Sequence, residues 1–261
     1  MRDDPRPMST SPSTVLVSGG ASGLGEAVAR RFAGDGWHVV ILDRDGDRAR
    51  TLAAELPDAG AIELDVTDAD AVDAAVAAVV AEGHTVRLAV SCAGIGPPQR
   101  ILSKRGPHKV ADFHTIISVN LLGTFHVLRA AAVAMAENEP DEHGQRGAIV
   151  NTASIAAYDG QIGQIAYAAS KGGVVGMTLP AARDLADRQI RVVTIAPGLF
   201  KTPLLGSLPQ EAQDSLGASV PNPARLGDPS EYADLVAHIQ SNVMLNGEVI
   251  RLDGALRMAP R

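Results

Sequence analysis

The chain has 261 residues, enough for one large α/β domain or two small ones. It is 46% hydrophobic and 20% charged, an ordinary balance for a folded protein with a sizeable core. A formal net charge of −7 argues against DNA, RNA or an anionic membrane as partner of the chain as a whole. The single cysteine, Cys92, excludes an internal disulfide and offers no zinc-ligand spacing.

Met1 to Ser13 is polar and Pro-rich and reads as a flexible N-terminal segment. It lacks the apolar stretch of a secretory signal and is too acidic for a typical organelle presequence. No run of about 18 apolar residues stands out, so no membrane span is expected, and the expected location is cytoplasmic. Residues 14–261 then alternate short β-branched runs with longer Ala- and Leu-rich helical stretches. Strands are expected at Thr14 to Ser18, His38 to Leu42, Ala61 to Leu64, Val86 to Cys92, Ala148 to Thr152, Arg191 to Ile195 and Glu248 to Leu252. Helices are expected at Gly23 to Gly34, Gly46 to Leu56, Asp68 to Glu82, Ala111 to Glu137 and Ile165 to Asp187. Gly96 to Lys109, Asn138 to Gly147 and Lys201 to Pro229 read as irregular. Continuous apolar strands alternating with helices predict a parallel sheet covered on both faces. The α/β fold expected is a single-domain, Rossmann-like, doubly wound parallel sheet of seven strands.

Between the first strand and first helix lies Ser18-Gly19-Gly20-Ala21-Ser22-Gly23-Leu24-Gly25. Gly19 permits a tight turn, Gly23 lets backbone approach a pyrophosphate, and Gly25 lets the helix pack on the sheet. The helix N-terminus adds free N–H groups and partial positive charge for phosphates. Asp43 ends the second strand about 20 residues on, where a carboxylate can hold ribose hydroxyls and repel a 2′-phosphate, which predicts NAD as cofactor. Arg44 next to it can turn to solvent. Asp65 and Val66 are candidate adenine contacts, although Asp65 also suits a helix entry beside Thr67 and Asp68.

Tyr167 and Lys171 are four apart, so on a helix they share a face. A tyrosine with its ordinary pKa of about 10 is a poor base near neutrality. A lysine cation some 5 Å away, at an effective dielectric near 20, is worth roughly 3 kcal/mol, or about two pKa units. That predicts a Tyr167 hydroxyl of lowered pKa acting as general acid/base. Ser154 follows the fifth strand and can hold a substrate oxygen, unless it is only a turn residue. Asn120 sits inside the long helix between Val119 and Leu121; its buried amide needs partners, from core groups or from a water relay to Lys171.

Together Gly19-x-x-x-Gly23-x-Gly25, Asn120, Ser154 and Tyr167-x-x-x-Lys171 resemble the short-chain dehydrogenase/reductase family, as does Pro197-Gly198 followed by Thr202. The resemblance covers almost the whole chain. It implies Ser154, Tyr167, Lys171 and Asn120 as a catalytic tetrad, and places Ser18, Ser22, Leu24, Cys92, Ala93, Gly94, Pro197, Gly198, Leu199 and Thr202 beside the cofactor. It also implies a homotetramer and Gln164 beside the substrate; the seven histidines are scattered without metal-ligand spacing, so no metal is expected. Two departures stand out: Ser18 replaces the usual Thr, and Ser91-Cys92-Ala93-Gly94 replaces Asn-Asn-Ala-Gly. Within the family, Gln145-Arg146-Gly147, Gln161-Ile162-Gly163-Gln164, Arg225-Leu226-Gly227-Asp228-Pro229 and Leu245 to Gly254 resemble the type 2 3-hydroxyacyl-CoA dehydrogenases. This implies a 3-hydroxyacyl-CoA substrate; a carrier-protein reductase, a hydroxysteroid dehydrogenase and a silent NAD-binding scaffold are the alternatives. Arg100, Lys104, Arg105 and Lys109 put four positive charges in ten residues of an acidic chain. The loop that carries them is expected to overhang the carboxyl edge of the sheet, where coenzyme A phosphates would be attracted.

Overall fold

A computed structural model of the chain describes residues 12–206 and 209–260. Residues 1–11 of the expected N-terminal segment lie outside the described residues. Ser13 already belongs to a strand, one residue before the expected domain start. The strands are β1 (Ser13–Ser18), β2 (His38–Asp43), β3 (Ala59–Glu63) and β4 (Thr85–Ser91), then a short hairpin of β5 (Leu102–Ser103) and β6 (Gly106–Pro107), and finally β7 (Gly147–Thr152), β8 (Ile190–Pro197) and β9 (Val249–Leu252). Apart from the hairpin, they form one seven-stranded parallel sheet in the order β3-β2-β1-β4-β7-β8-β9. The expected strands all occur, with ends moved by at most two residues.

The helices are α1 (Gly23–Gly34), α2 (Gly46–Glu55), α3 (Ala69–Ala81), α4 (Val110–Ile117), α5 (Gly123–Ala136), α6 (Ile165–Asp184), α7 (Pro203–Gly206), α8 (Gln210–Ala218) and α9 (Pro229–Ser241). Strand residues alternate between two cores, because successive side chains point to opposite faces. Val15, Val17 and Ile41 pack with Val28 and Phe32 of α1 and Tyr232, Val236 and Ile239 of α9. Leu16, Val40 and Leu42 pack on the other face with Val72 and Val76 of α3 and Val127 and Met135 of α5.

Several expectations need correction. Helix α9 lies in a stretch left unassigned. Its start is written in Asp228-Pro229-Ser230-Glu231: Ser230 N–H donates to Asp228 at 3.0 Å, and Asp228 N–H donates to Glu231 at 2.7 Å. Lys201 to Pro229 is partly helical rather than irregular, and Gly96 to Lys109 contains the hairpin. Helix α6 stops at Asp184 and is followed by a single tight turn, Ala186–Arg188, rather than running to Asp187. The long helix is interrupted by a wider π-type turn at Ser118–Leu122, which holds Asn120. By length and composition alone, Val110–Ala136 is long and apolar enough to cross a membrane, contrary to the reading of the sequence. Its buried face, however, including Val127, Ala131 and Met135, covers the sheet as a core helix does.

Candidate active site

The strand order reverses between β1 and β4, and a crevice opens at such a switch point beyond the carboxyl ends of parallel strands. The residues after β1 and after β4 meet there. Cys92 N–H donates to Ser18 O at 2.9 Å, and Gly19 N–H to Leu42 O at 2.8 Å. A side chain on Gly19, whose φ is +64°, would lie 2.5 Å from Ala93 N; one on Gly25 would lie 2.2 Å from Gly19 O. Only glycine lets the turn, the β4 loop and α1 approach this closely. The crevice is a cavity of about 640 Å³ running from Asp43 to Gln164.

Most expected cofactor positions line that cavity: Gly19, Ser22, Gly23, Leu24, Gly25, Asp43, Asp65, Val66, Cys92, Ala93, Gly94, Pro197, Gly198, Leu199 and Thr202. Ser18 does not; it is buried at the end of β1, 1% exposed, so its hydroxyl lies off the cavity wall. Ser22 precedes α1 with an extended φ of −157°, and its hydroxyl makes no cap bond. The α1 N–H groups therefore face the crevice without a side-chain acceptor of their own, which fits an anionic phosphate. At the far end, Asp43 accepts from Ala21 N–H and Asp45 N–H, each at 3.0 Å. Those bonds fix the carboxylate on the cavity wall, with lone pairs left for ribose hydroxyls. Arg44 is exposed beside it and also lines the cavity. Asp65 serves two ends at once: it lines the cavity, and its Oδ1 accepts from Thr67 N–H at 2.9 Å and Thr67 Oγ1 at 2.8 Å. These bonds hold Asp65 below the usual carboxylate range.

At the other end, Ser154, Tyr167, Lys171 and Gln164 line the same cavity. Ser154 is both a turn residue and part of the wall, since its Oγ accepts Ala156 N–H at 3.1 Å. Lys171 is 4% exposed and donates from Nζ to Thr152 O at 2.7 Å. Its Nζ lies 5.9 Å from the centre of the Tyr167 ring. Burial lowers Lys171 from 10.5 to about 8. Burial also pushes the Tyr167 hydroxyl above its ordinary 10.0, against a smaller downward pull from Ser154. The direction is opposite to the lowering expected from charge arithmetic alone: in the protein without cofactor, desolvation of the phenolate outweighs the hydrogen bond with Ser154.

Asn120 is fully buried behind the cavity wall and does not line it. Its Oδ1 accepts Ile95 N–H at 2.8 Å, and its Nδ2 donates to Ile95 O at 2.8 Å and Ser170 Oγ at 3.0 Å. These protein groups satisfy both amide hydrogens and one acceptor position of the oxygen. A side chain on Gly94 would lie 3.4 Å from Asn120 Oδ1 and 3.5 Å from Lys171 Nζ, so that glycine keeps both groups within reach of one small space.

Reading the sequence misses Thr152, whose carbonyl holds Lys171 and whose hydroxyl shares a 2.7 Å hydrogen bond with buried Tyr232. It also misses the apolar wall of Ile155, Phe200, Leu205, Leu216 and Met258. No local spacing connects those positions. Arg100 lines a second cavity of about 460 Å³, which shares Gln161 and Gln164 with the first. Lys104, Arg105 and Lys109 are exposed on the hairpin loop and line neither cavity. The loop is tied to the catalytic side by Gln99 N–H donating to Gly163 O at 2.8 Å.

A parallel sheet with a glycine turn at its switch point, and a Tyr–Lys pair across the crevice from it, defines a nicotinamide-dinucleotide oxidoreductase. The chain belongs to the short chain dehydrogenase family, whose pattern it matches over residues 13–213. It is 53% identical over 249 residues to a Bos taurus protein named 3-hydroxyacyl-CoA dehydrogenase type-2, covering 94% of this chain and 95% of that one. A Homo sapiens protein of the same name is 52% identical over the same span, again covering 94% and 95%. A crystal structure of 3-hydroxyacyl-CoA dehydrogenase type-2 from Mycobacterium avium superposes with a TM-score of 0.91 at 47% identity, covering 96% of this chain and 98% of that one.

Proposed function

We propose that the chain interconverts 3-hydroxyacyl-CoA and 3-ketoacyl-CoA with NAD. The observation that carries this reading is one continuous cavity joining the open α1 N-terminus and Asp43 to the Ser154–Tyr167–Lys171 cluster. The names of relatives about half identical over nearly their whole length support the substrate class. Asp43, held on the cavity wall by two backbone N–H groups, supports NAD over its 2′-phosphorylated form.

Bound NAD⁺ supplies a hydride acceptor and a positive charge that eases loss of the Tyr167 proton. Ser154 Oγ–H donates to the substrate oxygen and fixes the carbinol carbon. As that carbon loses its hydride, its hydroxyl proton passes to the Tyr167 oxygen and the C=O bond forms. Lys171, mostly protonated near pH 7 with a pKa of about 8, favours the phenolate and would hold a ribose hydroxyl of the cofactor. Asn120 is a positioning residue: it pins the loop at Ile95, keeping Gly94 beside Lys171. The active assembly on this reading is a homotetramer, formed in part through the apolar face that Phe125, Val133 and Leu179 expose.

A panel of 3-hydroxyacyl-CoAs, steroids and simple alcohols, read as NADH absorbance, tests the proposal. We expect kcat/KM for a 3-hydroxyacyl-CoA at least about tenfold above any steroid, a gap that pocket contacts alone can supply. Absence of NADH formation with every 3-hydroxyacyl-CoA would overturn it.

A further inference from the structure

Past β9 the chain doubles back over the substrate end of the cavity, and it is built to do so. Gly254 and Ala255 have φ of +59° and +68°, and for a residue with a side chain such a conformation persists only where its surroundings over-determine it. Asp253 does so here: Ala255 N–H donates to its Oδ1 and Leu256 N–H to its backbone oxygen, each at 3.0 Å. Arg251 then clasps the turn to the loop that follows Ser154. It donates to Asp253 Oδ2 at 2.7 Å, to Asp159 Oδ2 at 2.6 Å and to Leu256 O at 3.0 Å. The three side chains are 20%, 7% and 15% exposed for Arg251, Asp253 and Asp159, so solvent screens these contacts little. Two further bonds lace the segment to the same loop. Gln161 Nε2 donates to Ala259 O at 2.9 Å, and Ile162 N–H to Pro260 O at 3.1 Å.

The clasp delivers one side chain to the site. Met258 lines the catalytic cavity, which Gln161 and Gln164 also line, and packs against the apolar cluster of Ile155, Val220 and Leu256. We propose that Met258 is the specificity-determining residue of the substrate end, setting the size of acyl group accepted, and that Arg251 and Asp159 are positioning residues that hold it there. An unbranched thioether with three rotatable bonds yields to a range of linear chains, whereas a rigid or larger side chain would not. Gln161 lines the cavity and also grips this segment, so displacing the segment reshapes both sides of the pocket together.

This inference takes its substrate class from the acyl-CoA reading above, and the test separates the two. kcat/KM is measured with 3-ketoacyl-CoAs of four and twelve carbons and with CoA-free straight-chain β-keto esters of matching length, in wild type and variants. Met258→Ala should raise the long-to-short ratio by about tenfold, and Met258→Phe should lower it by a similar factor, the scale of one or two methylenes in an apolar pocket. KM for NADH should stay within about twofold, because Met258 lines the substrate end of the cavity and Asp43 the cofactor end. Asp159→Ala should move the ratio as Met258→Ala does, and Asp159→Asn, which keeps an acceptor for Arg251, should restore most of it. A ratio unchanged in both Met258 variants would overturn the inference. Wild type that turns over the β-keto esters but no acyl-CoA would overturn the proposed substrate while leaving the Met258 ratio readable.

Discussion

Lys171 Nζ donates to the backbone oxygen of Thr152 at 2.7 Å. The bond runs from the second turn of α6 to the last residue of β7, so the sheet itself sets where the ammonium stands relative to Tyr167. It anchors a cation that burial has lowered to about 8. The site therefore stores a poorly solvated charge beside a phenol whose own ionisation burial opposes.

Turnover should depend on the Tyr167 oxygen and on pH in a definite direction. Tyr167→Phe removes only the ionisable group, so kcat should fall at least about a hundredfold while NAD affinity stays close to wild type. Because the folded pKa of Tyr167 lies above 10.0, the phenolate is scarce at neutrality and grows with pH. Oxidation kcat/KM should rise steadily from pH 6 to pH 9 and ketone reduction should fall, on the reasoning that one direction needs the base and the other the acid. A variant retaining more than about a tenth of wild-type kcat would assign the proton transfer to another group.

Stability should report Lys171 separately. Its folded pKa of about 8 lies below its ordinary 10.5, so between those values the unfolded chain holds a proton that the folded one has lost. Stability then rises with pH across that window, and the penalty is fully present below it. Relative to Lys171→Met, wild type should gain roughly 3 kcal/mol between pH 7.5 and pH 10.5, at about 1.36 kcal/mol per unit. Paired denaturant titrations at the two pH values measure this. A difference that stays flat or shrinks as pH rises would mean that Lys171 is not a desolvated cation.

Much of this site was legible in local spacing. The glycine turn, Asp43, Ser154 and the Tyr167–Lys171 pair each depend on which residues sit a few positions from a strand end or a helix turn. What spacing does not carry is which distant groups meet. Ile95 and Ser170 satisfy Asn120, Thr152 holds Lys171, and Tyr232 reaches across the sheet from α9; each joins residues far apart in sequence. The direction of the Tyr167 shift is not legible in spacing for the same reason. A charge–charge sum needs only a separation, but the opposing desolvation depends on everything packed around the ring. Helix α9 has a readable start in its capping box, and Tyr232, Val236 and Ile239 recur at helical spacing, so its start and its buried face are both local signals.

Asp43 should set the choice of cofactor. Its carboxylate is fixed by Ala21 and Asp45, and an added 2′-phosphate would meet a negative charge that cannot swing away. Wild type should prefer NAD over NADP by at least about a hundredfold in kcat/KM, the cost of crowding like charges in a crevice. Asp43→Ser should narrow the gap mainly by improving NADP, because exposed Arg44 then faces the phosphate unopposed. Comparable kcat/KM for the two cofactors in wild type would reject the assignment.

Assembly should depend on the outer faces of α5 and α6. Phe125, Val133 and Leu179 are 43%, 68% and 44% exposed, and an apolar groove of about 500 Å³ lies among Phe125, Val133, Met177 and Pro180. Side chains added at Gly172 and Gly176 would meet nothing within 4 Å, which leaves α6 a smooth strip for close helix contact. Light scattering at micromolar concentration should give the mass of a tetramer. Phe125→Glu with Val133→Glu should yield a smaller species, because two carboxylates cannot be desolvated there without partners. A wild-type monomer would end this reading.

The last expectation concerns the loop between β4 and α4. Arg100, Lys104, Arg105 and Lys109 are all exposed, and the loop is pinned to the substrate side by Gln99 N–H on Gly163 O. Arg100 lines the cavity that shares Gln161 and Gln164 with the catalytic one, so at least one of these charges stands next to the wall of the catalytic cavity. The other three sit on or next to the hairpin, where they add to a local positive field on a chain of net charge −7. Coenzyme A phosphates would feel that field; a steroid or simple alcohol would not. Neutralising all four should therefore raise KM for acetoacetyl-CoA severalfold and leave KM for a small alcohol nearly unchanged. The acyl-CoA effect should shrink as salt rises toward 0.5 M, because the screening length falls from about 10 Å at 0.1 M to a few ångströms. Measuring both KM values in wild type and the quadruple variant at low and high salt distinguishes a steering role from a general loss of folding, which would raise both. Equal acetoacetyl-CoA KM in the two proteins at low salt would remove the loop from substrate recognition, and the acyl-CoA reading would then stand on the relatives and the cavity alone.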